Sequence, residues 1–157
     1  NKKSQIFEEL LASTDLQPRP GVAALIEQCK ANSVKVAWVT TTTEQNIDAM
    51  KNALSSKLSF DDFEFILFDK HCKHKKPAPD IYIEAIKRLD EENQNAIAIE
   101  DSSSGVASVR AAQLQCLATP GDFGSKQDFS GADFLLDDLS LVHVRGDGES
   151  GFCINTL

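Results

Sequence analysis

Apolar positions in this 157-residue chain change period from segment to segment, and that alternation predicts most of its elements. Ile6, Phe7, Leu10 and Leu11 recur at helical spacing over residues 4–12, and Pro18 with Pro20 closes that helix. A second helix starts at once. Pro20 suits its first turn, and Val22, Leu25, Ile26 and Cys29 repeat at i, i+3, i+4 and i+7 through about Ala31. Val34 to Thr40 (VKVAWVT) is a near-continuous run of β-branched and aromatic residues, as expected of a strand covered on both faces. Thr42-Thr43-Glu44-Gln45 fits a capping box, and Ile47, Met50 and Leu54 give the following helix one apolar face. Phe63 to Phe68 (FEFILF) predicts the next strand. After a basic loop from Asp69 to Pro79, Pro79 and Asp80 open a helix with the stripe Tyr82, Ala85, Ile86 and Leu89. Ala96 to Ile99 reads as a short strand, and Ser102 as the cap of a helix running to about Leu114. Gln115 to Ala118 and Ala132 to Leu136 are the last predicted strands, and HVRGDGESGFCINTL after Val142 reads as surface loop.

Strands alternating with helices of these lengths imply βαβ units with right-handed crossovers, hence an α/β fold with a mostly parallel sheet. Ligands of such sheets bind outside the carboxyl ends of the strands. Thr40, the loop bearing Lys76, and the pair Glu100-Asp101 each sit at or just after such an end, so all three converge on one rim.

Composition narrows the partners. With 41% hydrophobic and 25% charged residues the chain has the balance of one globular domain. No apolar run approaches the roughly 20 residues that cross a bilayer, and no signal-peptide core follows Asn1-Lys2-Lys3-Ser4, so a cytoplasmic protein is expected. A formal net charge of -8 argues against nucleic acid, whose binding rests on clustered Lys and Arg, and leaves a small molecule as the expected partner. Cys29, Cys72, Cys116 and Cys153 are scattered and read as reduced thiols. His71-Cys72-Lys73-His74 holds metal-type ligands, but two lysines follow and no second ligand group sits at a zinc spacing. The first residue is Asn rather than Met, from which we expect the chain to start inside a longer one.

Phosphoryl transfer needs donors around the phosphate oxygens and a cation to offset their charge. Lys76 supplies a flexible point charge from a loop stiffened by prolines, and Thr40 supplies a hydroxyl beside backbone N–H groups at a helix start. A carboxylate pair at a strand tip suits magnesium, with Asp101 the first candidate ligand and Glu100 beside it. Each feature has a plain structural reading as well. Thr40 to Thr43 can be a helix cap, Lys-Pro-x-Pro a rigid turn, and Glu-Asp a favourable charge at the positive end of a helix dipole. Their joint placement on one rim, in this order, is what points to chemistry.

With those motifs, the chain resembles the haloacid dehalogenase (HAD) superfamily, in the branch of β-phosphoglucomutase-like and phosphoglycolate-phosphatase-like enzymes. The resemblance runs from about Ile6 to Asp138. Arg19-Pro20-Gly21-Val22 resembles the return from a helical cap into the core, and VKVAWVT with Thr41-Thr42 the second family motif. KKPAPDIY matches the third motif through Lys76, with Lys75 as the less fitting neighbour, and Glu100-Asp101-Ser102 with Gly105 matches the fourth. The resemblance implies a HAD-like Rossmannoid three-layer fold. It also implies a Mg2+-dependent phosphatase or phosphotransferase acting on a small phosphorylated metabolite, such as a sugar phosphate, through an aspartyl-phosphate. In that reading Thr40, Thr41 and Lys76 bind phosphate, Asp101 and Glu100 hold the metal, and Ser102 supports them from behind.

One family motif is missing. No Asp-x-Asp pair, the source of the family's nucleophile and its general acid and base, occurs in the 157 residues. Asp69 ends an apolar run, but residue 71 is His and the position corresponds to the third strand, so it is no substitute. We therefore expect the central first strand and most of the cap to lie upstream of residue 1. Residues 1–17 would be a remnant of the cap, 18–142 the core and 143–157 a C-terminal tail. Losing that strand would leave two unpaired edges, between residues 34–40 and 96–99, open to self-association, and residues 1–157 alone would be inert. Three other readings compete with this one. A non-catalytic HAD-fold binding or scaffold module fits the missing nucleophile. A haloacid dehalogenase would leave the acid pair without a purpose. A receiver domain would place the acids first and the Lys last.

Overall fold

Short, mostly apolar strands feed helices whose apolar stripes fold back over them. The computed structural model describes residues 2–121, 127–145 and 151–154. In chain order these form α1 (Lys2–Ser13), α2 (Val22–Ala31), β1 (Ala37–Val39), α3 (Glu44–Leu54), β2 (Phe65–Leu67) and α4 (Asp80–Leu89). There follow β3 (Ile97–Glu100), α5 (Ser103–Ala111), β4 (Gln115–Ala118), β5 (Phe134–Leu135), β6 (Val142–Arg145) and β7 (Gly151–Ile154). Single turns of 3-10 helix at Phe60–Asp62, Asp69–His71 and Asn93–Asn95 have no apolar period and were not predicted.

β1 pairs in parallel with β2, aligning Trp38 with Ile66, and β3, β4 and β5 form a second parallel group in that order. The ladder bonds show which backbone groups are used. Glu64 N–H donates to Val36 O and Thr40 N–H to Leu67 O, so even-numbered residues of β1 turn to β2, and Ala37 and Val39 face the other way. On β3, Thr119 N–H donates to Glu100 O, which leaves Ile97 and Ile99 on the side away from β4. Among the described residues these outer edges of β1 and β3 pair with no strand.

Helices cover both faces. Leu67, Ile81, Tyr82, Ala98, Val109 and Cys116 belong to one buried cluster, in which α4 and α5 straddle both strand groups. Leu25, Cys29, Leu117, Leu139 and Val142 form a second cluster, with α2 on the opposite face. Cys116 and Leu117 enter different clusters because successive strand residues point to opposite sides. The result is the expected α/β layering.

Several boundaries differ from the sequence reading. β1 is shorter than the apolar run 34–40, because Val34 and Val36 serve the second cluster without all joining the ladder. Gly21 is the N-cap of α2, so Pro20 precedes the helix and does not form its first turn. Thr43, not Thr42, caps α3, its hydroxyl accepting Asn46 N–H at 3.4 Å. On α4 the most buried positions are Ile81, Tyr82 and Ala85, while Ile86 and Leu89 are half-buried. On α1, which lies against α3, Phe7 and Leu11 are half-buried but Ile6 and Leu10 are exposed. The tail departs furthest from expectation. Residues 142–145 and 151–154 form an antiparallel pair, with Val142 buried and Val144 N–H donating to Gln28 Oε1 on α2. Residues 146–150 and 155–157, and the side chain of Cys153, lie outside the described residues. No helix among the described residues is long and apolar enough to cross a membrane.

Candidate active site

The loop that carries Lys76 is fixed from both flanks. Ser108 on α5, fully buried, donates its hydroxyl to Ala78 O at 2.6 Å, and His74 N–H donates to Asp80 Oδ2 at 3.0 Å. That N–H bond is also the main reason the Asp80 carboxyl is held below its ordinary range. The Lys76–Pro77 peptide is cis.

Held this way, the Lys76 ammonium enters the space between the carboxyl ends of β1 and β3. It lies 2.5 Å from Glu100 Oε1, 3.2 Å from Tyr82 OH and 3.3 Å from Val39 O, and 4.8 Å from the centre of the Tyr82 ring. The pair is shielded: the Lys76 side chain is 13% exposed and that of Glu100 5%. Tyr82 OH donates to the same Glu100 oxygen. Burial, then the neighbouring Glu100 charge, holds the Tyr82 hydroxyl firmly in its protonated form. Glu100 is confined on its other side by Gly105, where an added Cβ would stand 1.8 Å from Oε2. Cys116, also fully buried, is pushed up to about 11, chiefly by burial and further by Glu100 and Asp133.

Thr40 anchors the adjoining rim. Its N–H donates to Leu67 O at 3.0 Å and its hydroxyl accepts Thr42 N–H at 3.2 Å, which leaves the hydroxyl hydrogen free to donate. Thr41 is half-buried, and its hydroxyl meets no partner among the described residues. Ser102 caps α5 by accepting Gly105 N–H at 3.1 Å. Asp101 is exposed, and its carboxylate makes no hydrogen bond or ion pair to the described residues.

The structure therefore brings Lys76 and Glu100 into contact and sets Lys76 against the carbonyl that precedes Thr40, while Asp101 stays outside the cluster. The carboxylate pair divides into an inward acid and an outward one. A divalent metal fits this donor set in part. Asp101 offers an uncommitted carboxylate, and Glu100 offers only Oε2, since Oε1 already accepts from Lys76 and Tyr82. His71-Cys72-Lys73-His74 forms no such centre. Phe68 N–H donates to His71 Nδ1, His74 Nδ1 faces Asp80, and no group of three metal-type ligands occurs among the described residues. A 360 Å³ hollow lined by Glu92, Asn93, Gln94, Gln113 and Gln115 opens at the amino ends of β3 and β4, away from Lys76.

Sequence reasoning placed Tyr82 and Gly105 inside motifs without giving either a role, and it missed Ser108. Tyr82 reads as part of an apolar stripe, although a hydroxyl on a buried helix face needs a partner and so carries a signal. The space that Gly105 leaves for Glu100, and the Ser108 bond to the Lys76 loop, give none without the fold.

The family model for haloacid dehalogenase-like hydrolases matches residues 1–119, and the chain belongs to that family. Among individual relatives, protein CbbY of Rhodobacter capsulatus is 42% identical over 143 residues, which is 91% of this chain and 63% of CbbY. CbbY from Rhodobacter sphaeroides, solved in complex with phosphate, superposes with a TM-score of 0.81 at 35% identity, covering 88% of this chain and 61% of that one. A variant of the same protein was solved with xylulose-(1,5)bisphosphate and superposes equally well. β-Phosphoglucomutase from Clostridium difficile reaches 0.71 at 25% identity, covering 88% of this chain and 59% of its own. The chain thus spans less than two thirds of the length of these relatives.

Proposed function

We propose that this chain carries the phosphate-binding and metal-binding side of a phosphotransfer site. The protein it serves would be a Mg2+-dependent phosphatase or phosphotransferase for small phosphorylated metabolites, sugar phosphates first among them. The carrying observation is the shielded Lys76–Glu100 pair at the carboxyl rim beside Thr40. In this reading Thr40 and Thr41 donate to phosphate oxygens and Lys76 offsets their charge as it builds up. Asp101 would hold the metal with Glu100 Oε2 beside it, and Ser102 would fix Asp101 by capping α5. Bound magnesium would supply positive charge to the phosphate oxygens. The attacking carboxylate is not among these roles, because the 157 residues contain no Asp-x-Asp pair. The same observation favours a second reading, a non-catalytic HAD-fold module.

Phosphate release from a panel of sugar monophosphates and bisphosphates, measured with magnesium, separates the two. Residues 1–157 alone should release none above background. The same residues joined to a strand ending in Asp-x-Asp should turn over, and Asp101→Asn should abolish the response to magnesium. Turnover by residues 1–157 alone would overturn the missing-nucleophile account, and an inert joined protein would favour the non-catalytic module.

A further inference from the structure

All three N–H bonds of the Lys76 ammonium are directed at protein acceptors: Glu100 Oε1, Tyr82 OH and Val39 O. An ammonium has no fourth donor, so an anion can reach Lys76 only if one of these contacts is given up. Glu100 is the hardest to leave. Its contact is the shortest, its carboxylate is buried, and a buried charge stripped of partners is costly. Tyr82 alters that balance because its O–H bonds the same Glu100 oxygen that Lys76 holds, while its own oxygen faces Lys76.

We propose that Tyr82 is a positioning residue: its hydroxyl stays on Glu100 and so allows Lys76 to turn toward an anion. Tyr82 OH first releases its acceptor contact to the ammonium, and its donor bond then keeps Glu100 satisfied as Lys76 shifts. Without the hydroxyl one N–H of Lys76 is freed, but Lys76 becomes the one remaining side-chain donor to Oε1 among the described residues, and turning it toward an anion would strip that buried oxygen of both. Glu100 then grips the ammonium more tightly, and anion binding weakens. The inference rests on the proposal that Lys76 contacts phosphate. It adds a residue whose part is to set how readily the lysine is released.

Tyr82→Phe removes one oxygen and keeps the ring that packs beneath the ammonium. Inorganic phosphate affinity is measured by phosphorus NMR on the chain, below every variant's unfolding temperature, for wild type, Lys76→Met, Tyr82→Phe, Glu100→Gln and the Tyr82→Phe/Glu100→Gln pair. The loss expected for Tyr82→Phe is about tenfold, the size of a hydrogen bond to a charged group. In the Glu100→Gln background the same change should cost less than about twofold, since the charge that Tyr82 offsets has gone. A purely structural role for Tyr82 would give equal losses in both backgrounds and would overturn the proposal. So would unchanged or tighter binding by Tyr82→Phe. Binding that is absent in wild type, or indifferent to Lys76→Met, would overturn the underlying phosphate reading and this inference with it. If Glu100→Gln does not fold, phosphate-bound coordinates of the wild type decide. Lys76 should have left Tyr82 OH while Tyr82 still bonds Glu100, and a lysine still held by both would end the proposal.

Discussion

Gly105 has no side chain because Glu100 occupies the space where one would be. In an ordinary helix Gly→Ala gains about 1 kcal/mol from propensity. Here the added methyl would meet Oε2 of a carboxylate whose Oε1 is held by Lys76 and Tyr82, so the group cannot swing away freely. Overpacking of this kind costs about 1–3 kcal/mol, and disturbing a buried ion pair about 3–5 kcal/mol. Gly105→Ala should therefore destabilise the chain by about 2 kcal/mol or more in denaturant unfolding. Gly121→Ala, where no described residue beyond its chain neighbours lies within 4 Å of the new atom, serves as the control. A Gly105→Ala midpoint no lower than that of the control would refute the account. At this scale the sequence was partly legible. Lys76 and Glu100-Asp101 stand in motifs, but which acid turns inward depends on Gly105, Tyr82 and the lysine meeting in space.

The entry to α2 shows how an element is placed by contacts remote in sequence. Arg19 donates to Thr119 O, to Pro120 O at 3.0 Å and to Asp137 O at 2.8 Å, while Leu139 N–H donates to Pro20 O. Gly21 follows with φ of 83°, and an added Cβ would stand 2.2 Å from the Leu139 carbonyl carbon. Left-handed backbone costs a non-glycine residue about 1–2 kcal/mol before any clash, and here the obstacle is backbone that cannot rotate away. Gly21→Ala should lower stability by more than about 2 kcal/mol, read as a fall in melting temperature; an unchanged melting temperature would contradict it. Helix periods were readable where a helix buries its own stripe, as α2 and α4 do, whereas on α1 the predicted Ile6 and Leu10 stay exposed. Strand ends were not readable, since an apolar run reports burial and not ladder pairing. The tail pair 142–145 and 151–154 was missed because four alternating residues become a strand only when a partner lies alongside.

For the whole molecule, the buried groups around Glu100 predict how stability responds to alkali. The Cys116 thiol is raised from an ordinary 9.0 to about 11 and the Tyr82 hydroxyl is raised as well. Below the unfolded values both groups are protonated whether folded or not, and their full contribution is present. As pH climbs past about 9 the unfolded thiol ionises first, which favours unfolding, and the contribution is lost by about 11. For Cys116 this amounts to about 2–3 kcal/mol, and Tyr82 adds to the loss above about pH 10. Unfolding free energies between pH 8 and 11 should fall, and Cys116→Val should flatten the portion between about 9 and 11. Parallel curves for the two proteins would refute this origin.

The sequence by itself determined the alternation of helix and strand, the rim on which Thr40, Lys76 and Glu100-Asp101 fall, the absence of an Asp-x-Asp pair and the resemblance to one family. The alternation and the rim follow from periods, caps and spacings that each segment carries locally, while the resemblance rests on the motifs around Thr40, Lys76 and Glu100-Asp101. Tertiary structure alone decided that Glu100 serves the lysine while Asp101 stays outside, and that Tyr82 bridges the pair. The reason is physical: a period specifies which face of an element is buried, but polar atoms find partners across the fold. Lys76 and Glu100 are 24 residues apart, and Arg19 and Thr119 are 100 apart.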